Sequence, residues 1–217
     1  MPSITRGDCR KCHRSFAKSQ MTRHLKSCLG SSNQGDSMLI LVELPRSPFW
    51  VYLTVPNTVK LMSIDAVLRD LWLDCCGHMS EFSSHDDLYV GEPDEPLFGR
   101  KRERSMNVSL KRAIGHGSLV YQYDFGSTTT LVLRVMGEKV IGLEPGIKVV
   151  ARNDAPDIRC TECGGVATEL LFDDWAPIAY CDECLGSVEE DGEAYTLPVV
   201  NSPRMGVCAY SGPSIEP

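Results

Sequence analysis

No stretch of this 217-residue chain approaches the roughly 18 consecutive apolar residues that a membrane helix needs. The opening Met1-Pro2-Ser3-Ile4-Thr5-Arg6 lacks the apolar centre of a secretory signal, so the expected location is the cytoplasm, where thiols stay reduced. There is no Walker loop, no Gly-x-Ser-x-Gly elbow and no His-Glu-x-x-His pair, so these nucleotide, hydrolase and metalloprotease signatures are missing. Asp124-Phe125-Gly126 matches the magnesium triplet of protein kinases. With no glycine-rich loop or His-Arg-Asp loop upstream, it reads as a hairpin turn. Residues 160–217 are nearly devoid of basic side chains, with Arg204 alone against eleven acids, which argues against DNA contact there and for a protein partner or a plain structural staple.

What is present is an ordinary globular composition, 42% hydrophobic and 24% charged, with a formal charge of −7 that is strongly segregated. Residues 1–28 carry +6, 29–99 carry −8, 100–112 carry +5, 113–159 balance, and 160–217 carry −10. A basic head and an acidic tail point to different partners at the two ends, or to a mutual contact. The ten cysteines, in a reducing compartment, are better explained by metal than by disulfides.

Cys9-x2-Cys12 followed by His24-x3-Cys28 places a cysteine pair on a turn and two further donors one helical turn apart, as a tetrahedral zinc requires. Phe16 and Met21 supply the small core of a ββα unit, so residues 1–29 read as a C2HC finger, with His13 as the alternative to His24. The helix phase set by Met21 and His24 turns Lys18, Gln20 and Arg23 outward with Arg14 nearby, a face suited to nucleic acid. One finger reads only about three base pairs, so binding by it alone is weak.

Cys160-x2-Cys163 and Cys181-x2-Cys184, seventeen residues apart, form a four-cysteine zinc ribbon over residues 153–198. Gly164-Gly165 and Gly186 follow the pairs where a knuckle needs free backbone to aim amides at sulfur, and Trp175 reads as a packing residue. Four saturated ligands leave no open position for catalysis. Cys75-Cys76-Gly77-His78 reads as core cysteines beside a glycine cap, the alternative being redox chemistry or a third metal. His85-Asp86-Asp87 reads as a strand entry with solvated acids.

Between the two metal modules, Gly30-Ser31-Ser32-Asn33-Gln34-Gly35-Asp36-Ser37 has the composition of a flexible linker over 30–37. Residues 38–152 follow as an α+β domain, a sheet with helices on one face. Met38–Leu44 and Phe49–Val55 are expected to pair as a hairpin, and Ser63 to cap a helix carrying Ile64, Val67, Leu68, Leu71 and Trp72. A mobile loop is expected over Glu92–Arg104, a short helix at Leu110–Ile114, a hairpin of Leu119–Phe125 with Thr128–Val135, and a strand at Ile147–Ala151. Residues 199–217 remain as a tail.

Phe49-Trp50-Val51-Tyr52-Leu53-Thr54-Val55-Pro56, the helix from Leu68 through Cys75-Cys76-Gly77-His78 to Phe82, and Tyr121-x-Tyr123-Asp124-Phe125-Gly126 resemble the Ri-plasmid open-reading-frame-three family, passenger proteins of insertion elements. The resemblance spans about residues 38–140. Where that family continues with an acid, a tryptophan and a histidine, this chain has Ser127-Thr128-Thr129-Thr130-Leu131. The tail Leu197-Pro198-Val199-Val200-Asn201-Ser202-Pro203-Arg204-Met205-Gly206-Val207-Cys208 resembles the ends of zinc-bearing members. The resemblance implies a compact α+β fold and a prokaryotic source, and it brings no established activity with it. The residues together point to a non-enzymatic adaptor with two zinc ions per chain, its finger touching nucleic acid and its acidic ribbon touching protein. The rivals are a structural interaction module without nucleic acid, and a redox or enzymatic protein using Cys75, Cys76 and His78.

Overall fold

The computed structural model describes residues 5–33, 35–93, 102–115, 117–141, 145–172, 176–188 and 195–213. In chain order, β1 (Arg6–Cys9), β2 (Ser15–Ala17) and α1 (Lys18–Leu29) are followed by β3 (Ser37–Glu43), β4 (Trp50–Pro56) and α2 (Leu61–Leu68), which runs into a π-turn over Arg69–Leu73. Next come β5 (Ser80–Ser83), β6 (Asp87–Val90), β7 (Arg102–Ser105), α3 (Leu110–Ile114), β8 (Ser118–Tyr123), β9 (Thr129–Val140) and β10 (Lys148–Asn153). The last elements are β11 (Glu169–Phe172), β12 (Pro177–Tyr180), α4 (Asp182–Val188) and β13 (Thr196–Pro198).

Ten strands form one mixed sheet in the order β2-β1-β10-β4-β3-β9-β8-β5-β6-β7, and β12-β11-β13 form a second, three-stranded sheet. Among the described residues, only β6 and β7 run parallel within the large sheet. The expected hairpin pairs from Ser37↔Pro56 to Glu43↔Trp50, and β8 pairs with β9 around the Asp124 turn.

Strand β3, Ser-Met-Leu-Ile-Leu-Val-Glu, is buried at all seven positions. Met38, Ile40 and Val42 face a core that includes Leu61, Ile64, Leu68 and Trp72 of α2 and its π-turn and Leu110 and Ile114 of α3. Leu39 and Leu41 face the opposite way, onto Met21, Leu25 and Leu29 of α1. The sheet therefore carries helices on both faces, not on one, and the finger helix is the second cover. An unbroken apolar run is what two-sided burial demands.

The finger is continuous with the main sheet. Strand β1 pairs with β10 from Gly7↔Asn153 to Cys9↔Ala151. A Cβ on Gly7 would lie 2.0 Å from the Arg152 carbonyl oxygen and 2.6 Å from the Trp50 ring, so this close approach needs glycine. The segment expected to be a flexible linker is bonded to β9 instead: Ser31 bridges Val140, and the Ser32 amide donates to the Lys139 carbonyl at 3.1 Å.

Two helix details also differ from expectation. Lys60, not Ser63, is the N-cap of α2, and it makes no side-chain cap bond. The amides of Leu61 and Met62 are instead satisfied by the carbonyls of Val108 and Met106, at 2.9 and 3.2 Å. Gly186 lies within α4 and shapes no knuckle. Trp175, and Arg100 and Lys101 of the basic loop, lie outside the described residues.

Candidate metal centres

Three groups of four side chains each bring their donor atoms within 4.8 Å of one another: Cys9, Cys12, His24 and Cys28; Cys160, Cys163, Cys181 and Cys184; and Cys75, Cys76, His78 and Cys208. Each group can hold a metal ion. At a metal–sulfur distance of about 2.3 Å, a tetrahedron has sulfur–sulfur edges of roughly 3.8 Å, which sets the scale for the distances that follow.

In the first group, Cys9 ends β1, Cys12 sits in the turn to β2, and His24 and Cys28 lie one turn apart on α1. The turn is held by the Cys9 amide donating to the Arg14 carbonyl at 3.0 Å and the His13 amide to the Cys9 carbonyl at 2.8 Å. Cys9 and Cys28 sulfurs are 4.0 Å apart, and the Cys12 sulfur is 3.3 Å from Nε2 of His24. His24, not His13, joins the group; its ring stacks on Phe16 at 3.9 Å between centroids. Burial of the thiol, with Cys9 beside it, pushes Cys28 up to about 11.

The second group closes the three-stranded sheet. The Cys160 amide donates to the Gly165 carbonyl at 2.8 Å, the Gly164 amide to the Cys160 carbonyl at 3.0 Å, and the Gly165 amide to the Cys163 sulfur at 3.4 Å. Gly164 has φ of +71°, the left-handed conformation this knuckle requires. Cys181 precedes α4 and Cys184 lies within it, and the Cys163 and Cys181 sulfurs are 3.7 Å apart. The Cys163 amide leads several backbone donors that lower Cys160 to about 6.

The third group corrects the expectation of core cysteines: Cys75 is half-buried and Cys76 is exposed. Cys208, which no spacing rule connects to them, arrives from the C-terminal segment. Its sulfur is 3.4 Å from Cys76 and 3.6 Å from Nε2 of His78, while Cys76 is 3.5 Å from Cys75 and 3.3 Å from His78. Hydrogen bonding from His78 and Cys76 lowers Cys208 to about 6, and the bonds to Cys208 and Cys75 push Cys76 up to about 12.

Arg204, the lone cation of the acidic end, is fully buried. It pairs with Asp124 of the hairpin turn and donates to Cys75 sulfur at 3.7 Å and to Thr129 Oγ1 at 3.3 Å. The Asp124 carboxylate also accepts the Gly126 and Ser127 amides at 2.9 and 3.3 Å. The Arg204 hydrogen bond, with those amides, holds Asp124 down at about 2. Sequence reasoning assigned neither Arg204 nor Cys208 to a site; a solitary basic residue in so acidic a stretch, and the tail's likeness to zinc-bearing members, were the available signs.

On the finger, Arg14, Gln20 and Arg23 are exposed. Lys18 is not part of that free face, because it pairs with Glu43, which Arg134 also engages. His85 is exposed and bonded to Asp86, while Asp87 pairs with Arg104 at 2.6 Å, so these three residues form no common cluster. No helix among the described residues is long and apolar enough to cross a membrane.

No family model and no curated protein matches the chain. Among solved structures it is similar to a protein of unknown function, MM3350 from Methanosarcina mazei Go1, at 15% identity and a TM-score of 0.44 over 59% of this chain and 75% of that one.

Proposed function

We propose that the protein is a non-enzymatic zinc adaptor whose C2HC finger contacts nucleic acid while the central domain and acidic ribbon contact protein. The observation that carries this reading is the orientation of α1. Its inner face, Met21, Leu25 and Leu29, is buried against the sheet, which leaves Gln20 and Arg23 outward beside exposed Arg14. Donor chemistry supports zinc in both modules, since three thiolates with one imidazole and four thiolates are its usual structural sets. Both sets are closed, which leaves no open coordination position for catalysis.

Binding rests on phosphate contacts and is weak and salt-sensitive. Neutralising about four to six phosphates gives a log–log salt slope of roughly −3 to −5 on duplex DNA. Replacing Arg14 and Arg23 together flattens that slope by about two units. Failure of the full chain to bind DNA or RNA at low salt would select the rival, a protein-contact module. One observation favours that rival: β1 is built into the main sheet and Lys18 is committed to Glu43, so the finger also completes the domain.

A further inference from the structure

We propose that Cys75, Cys76, His78 and Cys208 form a third metal site, of the closed thiolate-rich zinc type, that clasps the C-terminal segment to the central domain. The site is separate from the finger and the ribbon, and it joins residues far apart in sequence.

Cys76 lies at the centre of the group, between 3.3 and 3.5 Å from Cys75, His78 and Cys208. A disulfide explains the approach of two sulfurs and leaves the other two donors unexplained; a tetrahedral ion explains all four. Adjacent cysteines rarely share an ion because regular backbone sends neighbouring side chains apart. Here the π-turn ends at Leu73 and the chain bends at Cys75 and Cys76, which brings the two sulfurs to the same side.

The donors are positioned by bonds that do not depend on them. Gly77, at φ +73°, donates its amide to Asp74 Oδ1 at 3.0 Å and reverses the chain. The His78 amide then donates to the Tyr123 hydroxyl at 3.3 Å, and the ring lies edge-on to Tyr123 at 5.7 Å. On the other side, Ser202 Oγ donates to the Trp72 carbonyl at 2.6 Å, Asn201 exchanges bonds with Asn153, and the buried Arg204 fills the space against Asp124. Cys208 follows four residues later at φ +56°, a left-handed conformation that costs energy for a non-glycine residue.

Charge agrees. Three thiolates and one imidazole around a divalent ion leave a net charge of about −1, and the Arg204 guanidinium stands 3.7 Å from the Cys75 sulfur to meet it. Asp124 reaches within 3.6 Å of His78 Nε2 but is already held by Arg204 and two amides, so it holds the arginine and is not a fifth ligand. The ion thereby closes a loop of more than 130 residues, from Cys75 to Cys208.

The test is a metal count on the full-length protein loaded with zinc alone and freed of excess. Wild type is expected to hold three ions per chain and Cys208→Ser two, with finger and ribbon still loaded. The difference between these proteins reads this site whatever the occupancy of the other two, so loss of the finger or ribbon ion in both proteins would count against the adaptor reading without touching this one. A second measurement needs no variant. Alkylation of Cys76 and Cys208 in wild type should accelerate at least about tenfold when a chelator is added, because metal-bound thiolates are poor nucleophiles. Trypsin should also begin to cut after Arg204 only then. Equal metal content in wild type and Cys208→Ser, or alkylation at one rate with and without chelator, overturns the proposal.

Discussion

In the finger, Met21, Leu25 and Leu29 are buried against Leu39, Leu41, Trp50 and Tyr52 of the large sheet, whereas the buried core of the ribbon is Cys160, Tyr180 and Leu185. Each fully buried large apolar side chain stabilises by about 1.5–3 kcal/mol. The finger thus draws on a core shared with the rest of the domain. The ribbon's own cluster holds Tyr180 and Leu185 beside a ligand, with Leu171 and Ile178 half-buried against it and Leu170 and Leu197 buried apart from it, so it has less apolar burial to draw on. Similar donor sets would then do different work: an ion in the first would trim a structure that packing already supports, and one in the second would supply much of the structure's stability.

Stripping the metal is the strongest way to sharpen that contrast. Structural zinc contributes about 10–16 kcal/mol to small modules, so chelation, or Cys163→Ser, should abolish amide-exchange protection across 160–172 and 177–185 while the inner face of α1 keeps much of its own. Equal loss in both modules would break the comparison. Next comes Leu25→Ala, expected to cost about 2–5 kcal/mol. Because Leu25 belongs to the core of the large sheet, the denaturation midpoint of the whole central domain should fall with it; an independent finger would leave that midpoint unmoved. Gly7→Ala drives a methyl into the Arg152 carbonyl and should cost about 1–3 kcal/mol. Zinc content of the finger should be retained, so metal analysis and stability part company in that variant. The smallest effect is expected of Glu43→Gln, about 1–2 kcal/mol by urea denaturation. It leaves Lys18 and Arg134 facing each other without their shared carboxylate, and the loss should shrink in high salt.

Short-range spacing made the two outer metal groups legible, since each keeps its donors within about thirty residues of sequence. The β3–β4 hairpin, the α3 helix and the β8–β9 hairpin were legible from their apolar runs and turn residues. The second helical cover was not read, although Ser37–Glu43 carries its signal: a strand without alternation has no solvent face, and Leu25 and Leu29 extend the Met21 stripe at helical spacing beyond the small core assigned to the finger. The strand Arg6–Cys9 is too short and polar to announce that it joins the sheet. Strands β5, β6 and β7, four residues each, carry too few side chains for a period to show. Cys208 and Arg204 were invisible as a site because their partners lie in a different part of the chain. The packing of Ser202 on Trp72, of Asn201 on Asn153 and of Arg204 on Asp124 brings those parts together.

The register that joins Gly7 to Asn153 also sets an order of events during synthesis. At about 5–20 residues per second, the edge that receives β1 leaves the ribosome roughly 7–30 s after β1 itself. All four finger donors are out within the first 28 residues, so the finger can take up its ion while it waits. For that interval Met21, Leu25 and Leu29 can meet Leu39, Leu41, Trp50 and Tyr52 but lack Val150 and Ala151 of β10, on a basic module tethered to an unfinished chain. A module made early is thus among the last to be fully seated.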